Sequence, residues 1–266
     1  MFCMVGERIN TTRKRVQQAV ADRDAAYIQQ DVQAQQRCGA QYIDINAGAR
    51  IGHETEDMQW LLEVVQPVVT VPLCLDSPDP KVLAMAYERV QKPPMINSIS
   101  LEKARFDAMA PFLEGKKCKI VALCLDDSGL PKTALQIVQR AETIVMRLAG
   151  LGFSRDFVYV DPLVQPVSTD TKNGAMVLEA VSEIRKALAG VHIICGLSNI
   201  SYGLPKRKII NRTFLSLMMA AGLDAAILDP LDAELTAVLK TTQMLLGQDL
   251  YCAKYLKAFR AGELPG

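Results

Sequence analysis

Histidine, tryptophan and paired cysteine are scarce in this chain, and each scarcity removes a class of chemistry. Only two histidines occur, His53 and His192, and neither has a histidine or cysteine partner at ligand spacing, so a zinc site is not expected. The seven cysteines (Cys3, Cys38, Cys74, Cys118, Cys124, Cys195, Cys252) are odd in number and scattered, with no Cys-x-x-Cys pair. Several fall inside apolar runs, and they read as reduced thiols packed like small hydrophobes. Uncharged apolar stretches such as "IVALCL" at 120–125 fall far short of the ~20 residues a membrane helix needs. The opening "MFCMVGERIN" has no basic segment followed by a long apolar one, and the expectation is a soluble, cytoplasmic protein. Lysine and arginine total 30 against 29 aspartates and glutamates, a net charge of +1, and no basic run or arginine–aromatic segment suits a phosphate backbone. Nucleic acid is not an expected partner.

What is present is material for one large core. The chain has 266 residues, 50% of them hydrophobic, close to the ~250 residues of a single (β/α)8 barrel. Eight short apolar runs read as strands: "CMVGERI" (3–9), "YIDINAG" (42–48), "VPLCLDS" (71–77), "PMINSIS" (94–100), "KIVALCLDD" (119–127), "FVYVDPL" (157–163), "HIICGLSN" (192–199) and "AAILDPL" (225–231). Amphipathic patterns such as "DMQWLLEVVQPV" and "AMVLEAVSEIRKALAG" separate them, the latter closing on Gly190 as helices often do. Near-continuous apolar strands alternating with helices predict a parallel sheet covered on its faces. Eight such units predict an α/β fold, a single (β/α)8 TIM barrel over residues 1–266. A doubly wound open sheet is the competitor, but no Gly-x-Gly-x-x-Gly follows the first strand.

Each apolar run ends in residues that prefer water: Glu7, Asp44 with Asn46, Asp76, Asn97, Asp126 with Asp127, Asp161, Ser198 with Asn199, and Asp229. Any one of them could simply cap a helix or set a turn. In a barrel, however, all the carboxyl ends ring one mouth, and together these side chains predict a polar site there. The ring offers no nucleophile–base pair, no metal cluster and no lysine placed for Schiff-base work. Carboxylates and primary amides remain, and they suit a flat heterocycle rich in N–H donors and ring acceptors, such as a pterin.

The segments "GERIN" (6–10), "DINAG" (44–48), "LCLDS" (73–77), "INS" (96–98), "DPL" (161–163), "GLSNIS" (196–201), "INRTFL" (210–215) and "GLDAAI" (222–227) run the length of the chain. In this order they resemble the methyltetrahydrofolate–corrinoid methyltransferases, whose barrel is shared by the pterin-binding module of cobalamin-dependent methionine synthase. The resemblance implies that Asp76, Asn97 and Asp161 hydrogen-bond the pterin ring and that Asn199 lies near nitrogen 5, the methyl-bearing atom. It also implies that Glu7, Asp44, Asn46, Ser198 and Arg207 line the same mouth, Arg207 toward the anionic tail of folate. Tetrahydrofolate or methyltetrahydrofolate would be the substrate and Asn199 the catalytic residue, favouring positive charge on nitrogen 5.

No side chain of the ring reads as a neutral-pH proton donor near that atom, so the expected route for the proton is through water. Neither histidine sits in an Asp-x-His-x-x-Gly element; the corrinoid is expected on a separate, transiently docked protein. A homodimer is implied by the resemblance, although the segment "LTAVLKTTQMLLG" also reads as part of the barrel's outer layer. The direction of methyl flow is left open. Two rivals stand beside this reading: a dihydropteroate synthase, whose expected Ser-x-Arg-x-Gly order is missing from "AGARIGHETED", and a non-catalytic folate-binding module.

Overall fold

Eight parallel strands form the centre of the protein in the computed structural model, which describes residues 2–265. They are β1 (Cys3–Asn10), β2 (Tyr42–Asn46), β3 (Leu73–Asp76), β4 (Met95–Ile99), β5 (Lys119–Leu123), β6 (Val158–Asp161), β7 (His192–Ile193) and β8 (Ala225–Leu228). The described residues also form ten α-helices: α1 (Lys14–Ala21), α2 (Ala25–Arg37), α3 (Glu54–Val65), α4 (Pro80–Tyr87), α5 (Lys103–Leu113), α6 (Ala134–Gly150), α7 (Asn173–Ala187), α8 (Arg207–Ala221), α9 (Ala233–Leu245) and α10 (Ala253–Arg260). Each strand lies beside its sequence neighbour in the order β7-β6-β5-β4-β3-β2-β1-β8. The two ends of that order meet through Asp224 N on Ile193 O (3.3 Å), Ile227 N on Cys195 O (2.9 Å) and a parallel bridge between Gly196 and Ile227. The sheet is thus rolled into the expected (β/α)8 barrel.

Two departures from the sequence reading concern strand length. The run at 192–199 pairs as a strand only at His192–Ile193 and turns into a 3-10 segment, Leu197–Ser201. Its apolar character was real, but Cys195 and Leu197 are buried in a bend rather than a ladder. The run at 119–127 stops at Leu123, because Asp126, Ser128 and Gly129 form a turn.

Strand alternation divides the core in two. Outward residues such as Ile43, Ile45, Leu75, Ile96 and Val160 pack under the helices. Inward residues Val5, Tyr42, Cys74, Met95, Val121, Tyr159, Ile194 and Ala225 fill the barrel. At the lower end Lys119 Nζ bonds the Tyr159 hydroxyl at 2.9 Å, and Tyr159 stacks on His192, so that end is closed by packed side chains. Within α9, Leu235 and Leu239 turn inward, while Leu245 is 75% exposed. No helix among the described residues is long and apolar enough to cross a membrane.

The loops at the upper end are fastened by the helices behind them. Asp79, Thr133 and Asp232 cap α4, α6 and α9 by accepting from Lys81, Gln136 and Leu235 amides. Behind β1, Gln35 on α2 donates to Asp31 Oδ1 at 2.9 Å and presents its Oε1 to the Gly6 backbone. A methyl group at position 6 would run into that oxygen and would lie 3.1 Å from Pro230 Cγ. Gly6→Ala is expected to lower stability by ~1–3 kcal/mol, the usual cost of overpacking, as read from urea unfolding; an unchanged midpoint would show that Gln35 yields freely.

Candidate functional site

The inward column of each strand becomes polar as it reaches the mouth. On β1 the alternation Cys3, Val5 is followed by Glu7; on β2 Tyr42 is followed by Asp44 and Asn46. Asp76 follows Cys74, Asn97 follows Met95, and Asp161 follows Tyr159. Neighbouring registers bring them level: Asn46 pairs with Asp76 and Asp76 with Asn97. One expectation fails on β5, whose inward column ends in Leu123 packed against the barrel interior. Asp126 instead bonds Ser128 and Arg140, the latter at 2.7 Å, and Asp127 accepts from the first amide of α5, Lys103 N. These two acids brace loops.

Hydrogen bonds hold part of the ring in place. Asn46 Nδ2 donates to Asp76 Oδ2 at 2.8 Å while its Oδ1 accepts from Gly48 N at 3.0 Å, which fixes the amide's orientation. Asp161 Oδ1 accepts from Leu163 N at 2.8 Å, and Leu163 adopts the left-handed backbone, φ 61°, that turns this N–H inward. Arg105 on α5 donates to Ser77 O and Ser98 O, tying together the loops after β3 and β4 that carry Asp76 and Asn97. Asp229 is taken up by Arg8 at 2.9 Å, which also forks onto buried Asp31. On the far side, Asn199 rides on the 3-10 segment with its amide against Gly196. Arg207 pins that segment, donating to Ser198 O at 2.6 Å and Ser201 Oγ at 3.0 Å.

Burial changes the acids. Asp161 is pushed up to about 7 by removal from water, against the pull of the Leu163 amide. Glu7 also rises to about 7, by burial first and then by the nearby Asp229 carboxylate. Asp76 rises through burial, and Asp44 rises well above the carboxylate range through burial and the Asp76 charge. Asp44 Oδ1 is buried with no hydrogen-bond partner among the described residues. The mouth therefore does contain groups that change protonation near neutrality, contrary to the sequence-based expectation. Residue identity alone does not show how much water a carboxyl loses.

Arg8, Gln35, Asp31 and Arg105 are the site-supporting residues that sequence reasoning missed. Arg8 lay inside the quoted "GERIN" and could have been noticed; the other three act from helices behind the strands, where sequence carries no mark of the contact.

A barrel whose inner rim gathers carboxyls and amides around one opening defines a binder of flat polar heterocycles. Residues 6–229 match the family model for pterin-binding enzymes, and the chain belongs to that family. It is 34% identical over 263 residues to a methylcorrinoid:tetrahydrofolate methyltransferase of Eubacterium limosum, covering 98% of this chain and 97% of that protein. It is 29% identical over 237 residues to a methionine synthase of Mycobacterium leprae, covering 84% of this chain but 20% of that longer protein. Among solved structures, a dihydropteroate synthase of Xanthomonas albilineans with 4-aminobenzoic acid superposes with a TM-score of 0.66 at 16% identity, over 93% of each chain. That last likeness is one of fold.

Asp161 links the site to stability. An aspartate in the unfolded chain loses its proton near ~3.9, whereas the folded protein holds it up to about 7. The folded state binds the extra proton between those values, so this contribution is full below the lower value and is lost as pH rises through the upper one. Ligand-free Asp161→Asn is therefore expected to match wild type near pH ~4 and to exceed it above pH ~7. Urea midpoints across that range check this; an offset independent of pH would refute it.

Proposed function

We propose that this chain transfers a methyl group between the cobalt of a corrinoid, borne by a separate protein, and nitrogen 5 of tetrahydrofolate. The observation that supports the reading is the inward rim of Asp76, Asn97 and Asp161 with Asn199 on the segment after β7, at the same end of the barrel. The 34% identity over nearly the full length to a protein named methylcorrinoid:tetrahydrofolate methyltransferase supports the same chemistry and favours methyl flow onto folate. The whole chain acts as one pterin-binding domain, with Asp76, Asn97 and Asp161 holding the ring. Glu7, Asp44, Asn46 and Ser198 complete its walls. Arg207, already engaged with Ser198 and Ser201, steadies the Asn199 segment and faces the folate tail. A transient encounter with the corrinoid protein over the mouth, a homodimeric assembly and a cytoplasmic location belong to this reading through the family resemblance.

Nitrogen 5 attacks the methyl carbon with its lone pair, and the carbon–cobalt electron pair stays on the metal of the departing corrinoid. Positive charge grows on the nitrogen as the bond forms. The amide oxygen of Asn199, on a 3-10 segment that Arg207 pins through Ser198 and Ser201, can meet that charge. Carboxyls and amides opposite keep the ring from turning, so the nitrogen stays in line with the incoming carbon.

Mixing the protein with tetrahydrofolate and either methylcobalamin or a methylated corrinoid protein is expected to convert the corrinoid's visible spectrum to that of the cobalt(I) form. No conversion with either donor would overturn the reading. Asn199→Ala is expected to slow turnover about a hundredfold, the loss of ~3 kcal/mol typical of one preorganised contact, with a much smaller change in tetrahydrofolate affinity by calorimetry. Equal losses in both would remove Asn199 from the chemistry.

A further inference from the structure

Methylating nitrogen 5 of tetrahydrofolate displaces a proton, and that proton needs an acceptor. The two histidines do not serve: His53 lies 53% exposed beside Glu56 in the loop before α3, and His192 closes the lower end of the barrel, bonded to Asp224 at 2.8 Å. The interior thiols Cys74, Cys124 and Cys195 are pushed up by burial and hold their protons. Asn199 carries an amide, which neither gains nor loses a proton near neutrality.

Among the ring's carboxyls, Glu7 differs from the rest. Asp76 has Asn46, Asp161 has the Leu163 amide, Asp229 has Arg8, and Asp44 has Asn97 and the Cys74 thiol beside it. Glu7 has burial and through-space charges around it but no hydrogen-bond donor. Its place also differs. It lies inward at the upper end of β1, on the side of the mouth where Ser198, the residue before Asn199, lines the same cleft. That cleft, about 370 Å³, opens to solvent between Glu7, Arg13, Ser198, Arg207, Asn211 and Asp229. Asn211 Oδ1 is buried there without a protein partner, which leaves it free to accept from water.

We propose that Glu7, in a role that rests on the methyltransferase reading, takes the proton leaving nitrogen 5, directly or through one water, and passes it to solvent through this cleft. In that step the N–H bond of nitrogen 5 breaks and an O–H bond forms on Glu7, while the nitrogen–carbon bond replaces the carbon–cobalt bond. The electron pair left on cobalt reduces the corrinoid from cobalt(III) to cobalt(I), and no other oxidant or reductant is needed. Run backwards, the same carboxyl protonates nitrogen 5 of methyltetrahydrofolate. The groups facing it are Asp229 at the end of β8 and Asp44 on β2, which raise its proton affinity, and Arg13 after β1, Arg207 on α8 and Arg8 on β1, which lower it. Burial first, and then these charges, leave Glu7 near neutrality, at about 7, where it can work in either direction.

The test measures methyl transfer in both directions with methylcobalamin, cobalt(I) cobalamin and the two folates, at saturating folate and across pH. In wild type, transfer onto folate is expected to fall as pH drops through the Glu7 titration, and transfer off folate to fall as pH rises through it. Glu7→Gln is expected to lower turnover about a hundredfold in both directions and to flatten both profiles, while tetrahydrofolate affinity by calorimetry stays within about threefold. Glu7→Asp, which keeps the acid, is expected to restore a pH-dependent rate; it also carries the test if the glutamine variant does not fold, through a displaced pH midpoint. Wild-type turnover and profile in Glu7→Gln would overturn the proposal, as would loss of turnover matched by loss of folate affinity. A wild-type chain that moves no methyl group would overturn the methyltransferase reading and this role with it, which separates the two failures.

Discussion

The interior of this barrel is filled by packed side chains, and its acids sit at the top of that column. A strand turns alternate side chains to the same face, so the register that packs Val5, Cys74, Met95 and Tyr159 into the barrel also obliges Glu7, Asp76, Asn97 and Asp161 to face inward one step higher. Removing a carboxyl from water without a counter-charge is costly, and burial raises the proton affinity of Glu7, Asp76 and Asp161. The arginines close to the ring do something else. Arg8 binds Asp31 and Asp229, Arg105 binds backbone carbonyls, and Arg207 binds Ser198 and Ser201. These cations fasten loops and strand ends, and none of them bonds Glu7, Asp76 or Asp161 among the described residues.

Much of this could be read from the sequence because it depends on period. A two-residue alternation that runs apolar and then turns polar is visible in "YIDIN" and "VYVD" without coordinates, and repeated eight times it specifies a barrel with a polar mouth. Where period gave out, so did the reading. "HIICGLSN" is apolar enough for a strand, yet Gly196 and the segment after it bend into a 3-10 turn, and composition does not separate a buried bend from a buried ladder. Asp126 and Asp127 follow an apolar run as the other acids do, but they fall past the point where β5 stops. Only the turn geometry at Ser128 and Gly129 shows that they are outside the ring. Acidity was hidden for a different reason: it depends on the walls around a side chain, and most of those walls come from distant parts of the chain.

The fold and the chemistry separate along the same lines. A dihydropteroate synthase shares the barrel at 16% identity, which establishes architecture and nothing finer. The details that bear on reaction class are local: an amide on a short turn after β7, a donor-less glutamate on β1, and an arginine at the start of α8 that serves as a clasp. These lie on β1 and in the segment that runs from β7 into α8, while Asp76, Asn97 and Asp161 come from β3, β4 and β6. In the proposed reaction, one side of the barrel holds the ring and the other serves the methyl transfer.

That division has a mechanical counterpart. Asp76 and Asn97 end strands laddered to neighbours on both sides, whereas Asn199 hangs beyond a strand of two residues, at the seam where the rolled sheet meets itself through a few bonds. One side of the rim is therefore fixed by the sheet itself, and the other by a side-chain clasp and the few bonds of the seam.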